Sequence, residues 1–102
     1  MAVISLNKEN FSEIVIKSDK PVLIDLGADW CVPCHMLSSV LSEIAEEHPE
    51  IVVCKIDVDD EPELAEAFHV SAIPMLVLIR DGKIENITVG YKPKSQIVSM
   101  LT

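Results

Sequence analysis

The segment Val22-Leu23-Ile24-Asp25-Leu26-Gly27-Ala28-Asp29-Trp30-Cys31-Val32-Pro33-Cys34-His35 passes from a strand pattern into a helix pattern. Val22 to Leu26 is a nearly continuous apolar run, the signature of a strand covered on both faces. Its one carboxylate, Asp25, stands between Ile24 and Leu26, which argues against a solvated strand end. From about Val32 to Glu47 the period changes: Met36, Leu37, Val40, Leu41, Ile44 and Ala45 form paired rows four apart. Those rows predict an amphipathic helix buried along one stripe. Glu43, Glu46 and Glu47 lie off the stripe, and Pro49 lies just past its end.

Working outward, Val3 to Leu6 is a short strand candidate. Asn7 or Asn10 is placed to cap a segment in which Phe11, Ile14 and Val15 recur as one helix face. Ser18-Asp19-Lys20-Pro21 reads as a turn. After the long helix, Ile51 to Val58 reads as a buried strand, and Leu64, Ala65 and Phe68 mark a short helix with an acidic first turn. Met75 to Ile79, Asp81-Gly82 and Ile84 to Val89 carry a β-hairpin signature, and Ile97, Val98 and Leu101 suggest a closing helix. The order β-α-β-α-β-α-β-β-α predicts an α/β fold, a central mixed sheet with helices on both faces. No repeat, linker or low-complexity tract interrupts it, so one domain is expected over residues 1–102.

The 102 residues include 17 Asp and Glu against 8 Lys and Arg, for a formal net charge of −9, and Arg80 is the single arginine. Backbone-phosphate recognition needs clustered cations, so a nucleic-acid partner is not expected. With 49% hydrophobic residues the chain has the material for a core and is no disordered acidic tail. The longest apolar stretch, Ala72 to Ile79, contains Pro74 and is too short for a bilayer, so no membrane partner is expected. Residues Ala2 to Asn10 lack an export-signal pattern, and three cysteines leave one thiol unpaired. Together these features point to a reducing cytoplasm. Asp57 to Glu63 is acidic, but Pro62 and Phe68 stand where a calcium loop needs Gly and Glu, so a solvated loop is expected.

Chemistry concentrates at the strand-to-helix junction. Cys31 falls at or just before the first helical turn, where unpaired N–H groups and the helix dipole favour a thiolate. Pro33 belongs in that turn because its missing N–H costs nothing there. Cys34, three residues on, comes within disulfide reach of Cys31 and is shielded behind it. The expectation is an exposed, attacking first sulfur and a resolving second one. Two other chemistries use the same residue types. A zinc site would recruit Cys54 and one of His35, His48 or His69, although Cys54 lies in an apolar strand. Haem attachment matches the string Cys31-x-x-Cys34-His35 but needs export and an axial ligand such as Met75 or Met100. The βαβ setting favours the redox dithiol.

Asp25-Leu-Gly-Ala-Asp-Trp30-Cys31-Val-Pro-Cys34, Lys55-Ile-Asp57-Val-Asp59, Val70-Ser-Ala-Ile73-Pro74, Asp81-Gly82 and Val89-Gly90 occur in an order and spacing that resembles the thioredoxin family over nearly the whole chain. The resemblance implies a thioredoxin fold and a protein disulfide reductase, a thiol-disulfide oxidoreductase and electron carrier. Cys31 is then the attacking thiolate and Cys34 the resolving thiol. Asp25 is the buried carboxylate that helps deprotonate Cys34, its pKa raised by desolvation. Lys55 is the lysine beside it. Pro74 takes the family's cis-proline place after Ile73, and Trp30, Val32, Pro33, Ile73, Pro74 and Gly90 form the substrate-binding surface.

The same resemblance implies no cofactor or metal in the chain, and a monomer. Its implied partners are a thioredoxin reductase, an NADPH-dependent flavoprotein, and disulfide-containing client proteins. Five positions depart from the family pattern. Val32 stands for a usual Gly, His35 for Lys, Gly27 for Trp, Ser39 for Pro and Met75 for Thr. His35 would make charge near the site depend on pH. These departures also suit a specialised donor to one dedicated enzyme system, and a binding module with incidental cysteines is the reading from another class.

Overall fold

The computed structural model describes residues 2–102. Its strands are β1 (Ile4–Ser5), β2 (Val22–Gly27), β3 (Val52–Asp57), β4 (Met75–Arg80) and β5 (Lys83–Val89). Its α-helices are α1 (Val32–Glu47), α2 (Pro62–Ala67) and α3 (Lys94–Met100). The strands form one sheet in the order β1-β3-β2-β4-β5. β3 pairs in parallel with β1 and β2, whereas β4 runs antiparallel to β2 and β5 antiparallel to β4. This is the mixed sheet expected, with β2 at its centre.

Residue alternation along β2 assigns the two faces. Val22, Ile24 and Leu26 join Cys54, Ile56, Val77 and Ile79 in one core, covered by the segment around Val15 and by Leu64 and Phe68. Leu23 joins Leu37, Leu41, Ile44, Val53, Leu76, Leu78 and Ile97 in the other, under α1 and α3. Asp25 and Gly27 share the parity of Leu23 and therefore lie on the α1 side. In register, Asp25 stands beside Lys55 on β3 and Leu76 on β4.

Two expectations need correction. The Phe11, Ile14 and Val15 face is packed as read, but the segment Ser12–Ile16 is a single π-helical turn closed by Lys17 N–H to the Ser12 carbonyl. Asn7 and Asn10 do not simply cap it. Each side-chain carbonyl accepts the other's backbone N–H, which forms a tight turn before it. Met36, read as part of the buried stripe of α1, is 53% exposed. The buried row is Leu37, Leu41, Ile44 and Ala45, and Met36 is one helical step off it. The β4–β5 hairpin turns on Asp81 and Gly82, both at positive φ (55° and 76°), as a two-residue primed turn requires.

Candidate active site

The end of β2 and the start of α1 bring Cys31 and Cys34 together. Cys31 is the N-cap of α1 with extended backbone, and its sulfur accepts the Cys34 N–H at 3.3 Å. Pro33 occupies the first turn, as its fixed φ and missing donor favour. The two cysteines form a disulfide with their Cα atoms 5.2 Å apart, within the usual span of such bonds. Both are buried, Cys31 at 6% exposure and Cys34 at 5%. That corrects the expectation of an exposed first sulfur: in the disulfide state Ala28, Val58 and Ile73 pack over the pair.

Gly27 explains how Cys34 comes so close to β2. A Cβ on Gly27 would stand 3.1 Å from Cys34 Sγ and 3.2 Å from its Cβ, tighter than ordinary van der Waals contact. The same point lies 3.8 Å from Asp25 Oδ1, so carboxylate and sulfur border one spot. Asp25 is 5% exposed, and no group of the described residues donates to its Oδ1. Burial pushes its pKa up to about 6, and the exposed Lys55 beside it pulls the other way. Desolvation therefore wins over the neighbouring cation, because the ammonium is in water and screened.

Around the pair, Trp30 and Val32 are exposed at 70% and 69%, and Met36 extends this apolar rim along α1. The peptide bond Ile73-Pro74 is cis, Ile73 packs on the cysteine pair, and Gly90 N–H donates to the Pro74 carbonyl at 2.8 Å. The residues read from the sequence thus converge from four separate segments of chain. His35 sits apart from the sulfurs in one respect: its Nε2 bonds the Asp29 carbonyl. That nitrogen must carry the hydrogen, since a carbonyl only accepts. Ser39 is exposed on an unbroken α1, and Met75 is buried at the start of β4.

One contact escaped the sequence. Trp30 Nε1–H donates to Asp59 Oδ2 at 2.9 Å. Asp59 is held in turn by a loop in which the Asp57 side chain accepts the Asp59 and Asp60 N–H groups, and Val58 N–H bonds the Gly27 carbonyl. Nothing in the local pattern links residues 29 positions apart. Cys54 lies in the core on the opposite side of the sheet from Asp25, where burial pushes its thiol up to about 12. It is not brought to the Cys31–Cys34 pair, and among the described residues no three His, Cys, Asp or Glu side chains cluster to hold a metal. Nor is any described helix long and apolar enough to cross a membrane.

A strand-to-helix junction that carries a Cys-x-x-Cys disulfide above a buried carboxylate defines a thiol-disulfide oxidoreductase. The thioredoxin family model matches residues 2–102. The chain is 41% identical to a thioredoxin of Alicyclobacillus acidocaldarius over 98% of its own length and 95% of that protein's. It is 42% identical to a thioredoxin of Mycobacterium bovis, over 99% and 88% of the two chains, and 36% identical to one of Pseudomonas aeruginosa, over 97% and 93%. The chain belongs to the thioredoxin family, and its chemistry is dithiol-disulfide exchange. The family generally works with a thioredoxin reductase and disulfide substrates.

Proposed function

We propose that Cys31 attacks protein disulfides, Cys34 resolves the product, and an external thioredoxin reductase restores the dithiol. The observation that carries this order is the placement of Cys31 as the N-cap of a 16-residue helix, with Cys34 and Asp25 behind it. After reduction, the Cys34 N–H and the positive end of α1 favour a thiolate at Cys31. That sulfur bonds one substrate sulfur while the substrate S–S bond breaks and the other sulfur leaves. Asp25 accepts the Cys34 proton. Cys34 then attacks the Cys31 sulfur, expels the second substrate sulfur and re-forms the Cys31–Cys34 bond. The expelled sulfur takes the proton back from Asp25 and leaves as a thiol, while the first substrate sulfur, expelled as a thiolate, is protonated from water. Two electrons pass from the dithiol to the substrate.

Trp30, Val32, Pro33, Ile73, Pro74 and Gly90 receive the client chain. Flat apolar area at Trp30 and Val32 contacts its side chains, while the Ile73 backbone beside the cysteines is available to pair with it. Lys55 modulates Asp25, and His35 stiffens the Asp29 to His35 turn. The reductase is an NADPH-dependent flavoprotein and the clients are disulfide-containing proteins. One chain supplies every site residue, so it acts as a monomer, a single domain over residues 1–102. The compartment is a reducing cytoplasm, in keeping with the unpaired Cys54.

The test is insulin reduction by the dithiothreitol-charged protein. The wild type should turn over and Cys31→Ser should not. Equal rates for the two would overturn the assignment of Cys31.

A further inference from the structure

β5 closes one side of the sheet, and no described strand pairs with its outer edge. Gly90 N–H donates to the Pro74 carbonyl, so the facing residues Met75 and Val89 exchange no backbone bonds with each other. The N–H and C=O of Val89 therefore point away from β4. Val77 and Ile87 stand two residues along in the same register, so the backbone groups of Ile87 point outward as well. Lys92 Nζ reaches the Val89 carbonyl at 2.8 Å on that outer side.

The side chains follow the same alternation. Met75, Val77 and Ile79 lie in the core on the Cys54 side of the sheet, and they face Val89, Ile87 and Ile84 on β5. The cover around Val15, Leu64 and Phe68 stops short of β5, and all three of these partners are exposed. Ile16, also exposed, stands beside the Asp81–Gly82 turn at the far end. The apolar row thus begins next to Pro74 and Gly90 and runs along a free strand edge away from the cysteines.

Charge brackets this row. Arg80 engages Glu85, and Lys94 engages Glu43 and Glu47. Lys83, at the start of β5, and Lys92, just past its end, pair with no carboxylate among the described residues. In a chain of net charge −9 these are two unmatched cations at the ends of one apolar strand. Lysines that only guarded the edge against pairing would serve best between the isoleucines. The charge found there, Glu85, is already held by Arg80.

We propose that the outer edge of β5 is a docking strip on which a second segment of the disulfide client joins the sheet as an added strand. That segment is extended, apolar at alternate positions, and carries carboxylates at both ends. Its backbone pairs with the outward groups of Ile87 and Val89, and its side chains cover Ile84, Ile87 and Val89. Its carboxylates meet Lys83 and Lys92, and drawing Lys92 aside frees the Val89 carbonyl for the added strand. The proposal rests on the client reading above, since the strip continues the Pro74 and Gly90 surface.

The experiment uses three peptides, each joined through one cysteine to a fluorescent thiol by a disulfide. One has the tail Glu-Val-Thr-Val-Thr-Val-Glu, the second has Lys for Glu, and the third is the first with N-methylated valines. Release of the fluorescent thiol by the dithiothreitol-charged protein gives kcat and KM. KM for the acidic tail should be about tenfold below that for either control, with kcat unchanged. Ile84→Ser with Ile87→Ser should abolish the preference, and Lys83→Glu with Lys92→Glu should turn it toward the basic tail. Both variants should reduce a small aryl disulfide at the wild-type rate. A cysteine-free acidic tail should also slow hydrogen exchange at the Ile87 and Val89 amides.

Equal KM values for the three tails, or unchanged exchange at Ile87 and Val89, would overturn the strip. So would protection of those amides that grows with protein concentration without peptide, because a second copy would then be the occupant. Insulin reduction by the wild type is measured alongside. If insulin is reduced while the tails are not distinguished, only the strip fails. If insulin is not reduced, the parent reading fails.

Discussion

The two sides of the Cys31–Cys34 bond are built from opposite materials. In front lie exposed apolar side chains, Trp30, Val32 and Met36, with the Ile73 backbone beside them. Behind lie Asp25, Lys55 and the acidic β3–α2 loop around a polar cavity. Under the proposed function the difference separates two tasks that one disulfide must perform. Recognition of a client needs water-shedding surface and no fixed charge. Proton transfer at the second sulfur needs a carboxyl whose charged form is disfavoured by burial. Asp59 joins the two sides, since it belongs to the rear loop and its carboxylate holds the front indole. The acidity of the chain is therefore not remote from the apolar rim but reaches its edge.

The largest expected effect comes from the rear. Under the proposed mechanism Asp25→Asn keeps the shape but removes the proton acceptor of Cys34, so disulfide turnover above pH 6 should fall by roughly 10²-fold while the first attack by Cys31 persists. Stopped-flow separation of the two steps checks this, and loss of the first step instead would erase the distinction between the sides.

Stability should move the other way. A carboxyl of ordinary pKa 3.8 that is raised to about 6 on folding binds more protons in the native state between those values. Native stability therefore falls as pH rises through that window, and the deficit is complete above about pH 6. Asp25→Asn should accordingly stabilise the protein by up to about 3 kcal/mol at pH 8 and by little below pH 4. Denaturant titrations at the two pH values read the difference.

Effects at the front should be smaller. Trp30→Ala should raise KM for insulin roughly fivefold with kcat nearly unchanged, because it removes contact area and no reacting group. Asp59→Ala frees the indole without removing it, and should raise KM only about twofold. A larger effect for Asp59→Ala than for Trp30→Ala would show that the carboxylate acts on more than the indole.

Much of this arrangement was legible in the sequence because it rests on local pattern. The period change between Leu26 and Val32 located the junction, Pro33 marked the helix start, and the apolar neighbours of Asp25 announced its burial. What stayed hidden depends on distances between segments or on small angular offsets. The Trp30–Asp59 bond joins two loops that only the fold brings together. Met36 carries a hydrophobic side chain, so its place one step off the stripe had no compositional signal. The π-turn at Ser12–Ile16 buries the same face an α-helix would, and the periodicity of so short a segment does not tell them apart. Gly27 was visible as a departure, but its contact with Cys34 and the cavity beyond it needed coordinates.

The most direct test of the division between the two sulfurs is peptide mapping of Cys34→Ser after reaction with insulin. The front-side account predicts a stable mixed disulfide on Cys31 with turnover stopped. Continued turnover, or an insulin chain bound elsewhere than Cys31, would contradict it.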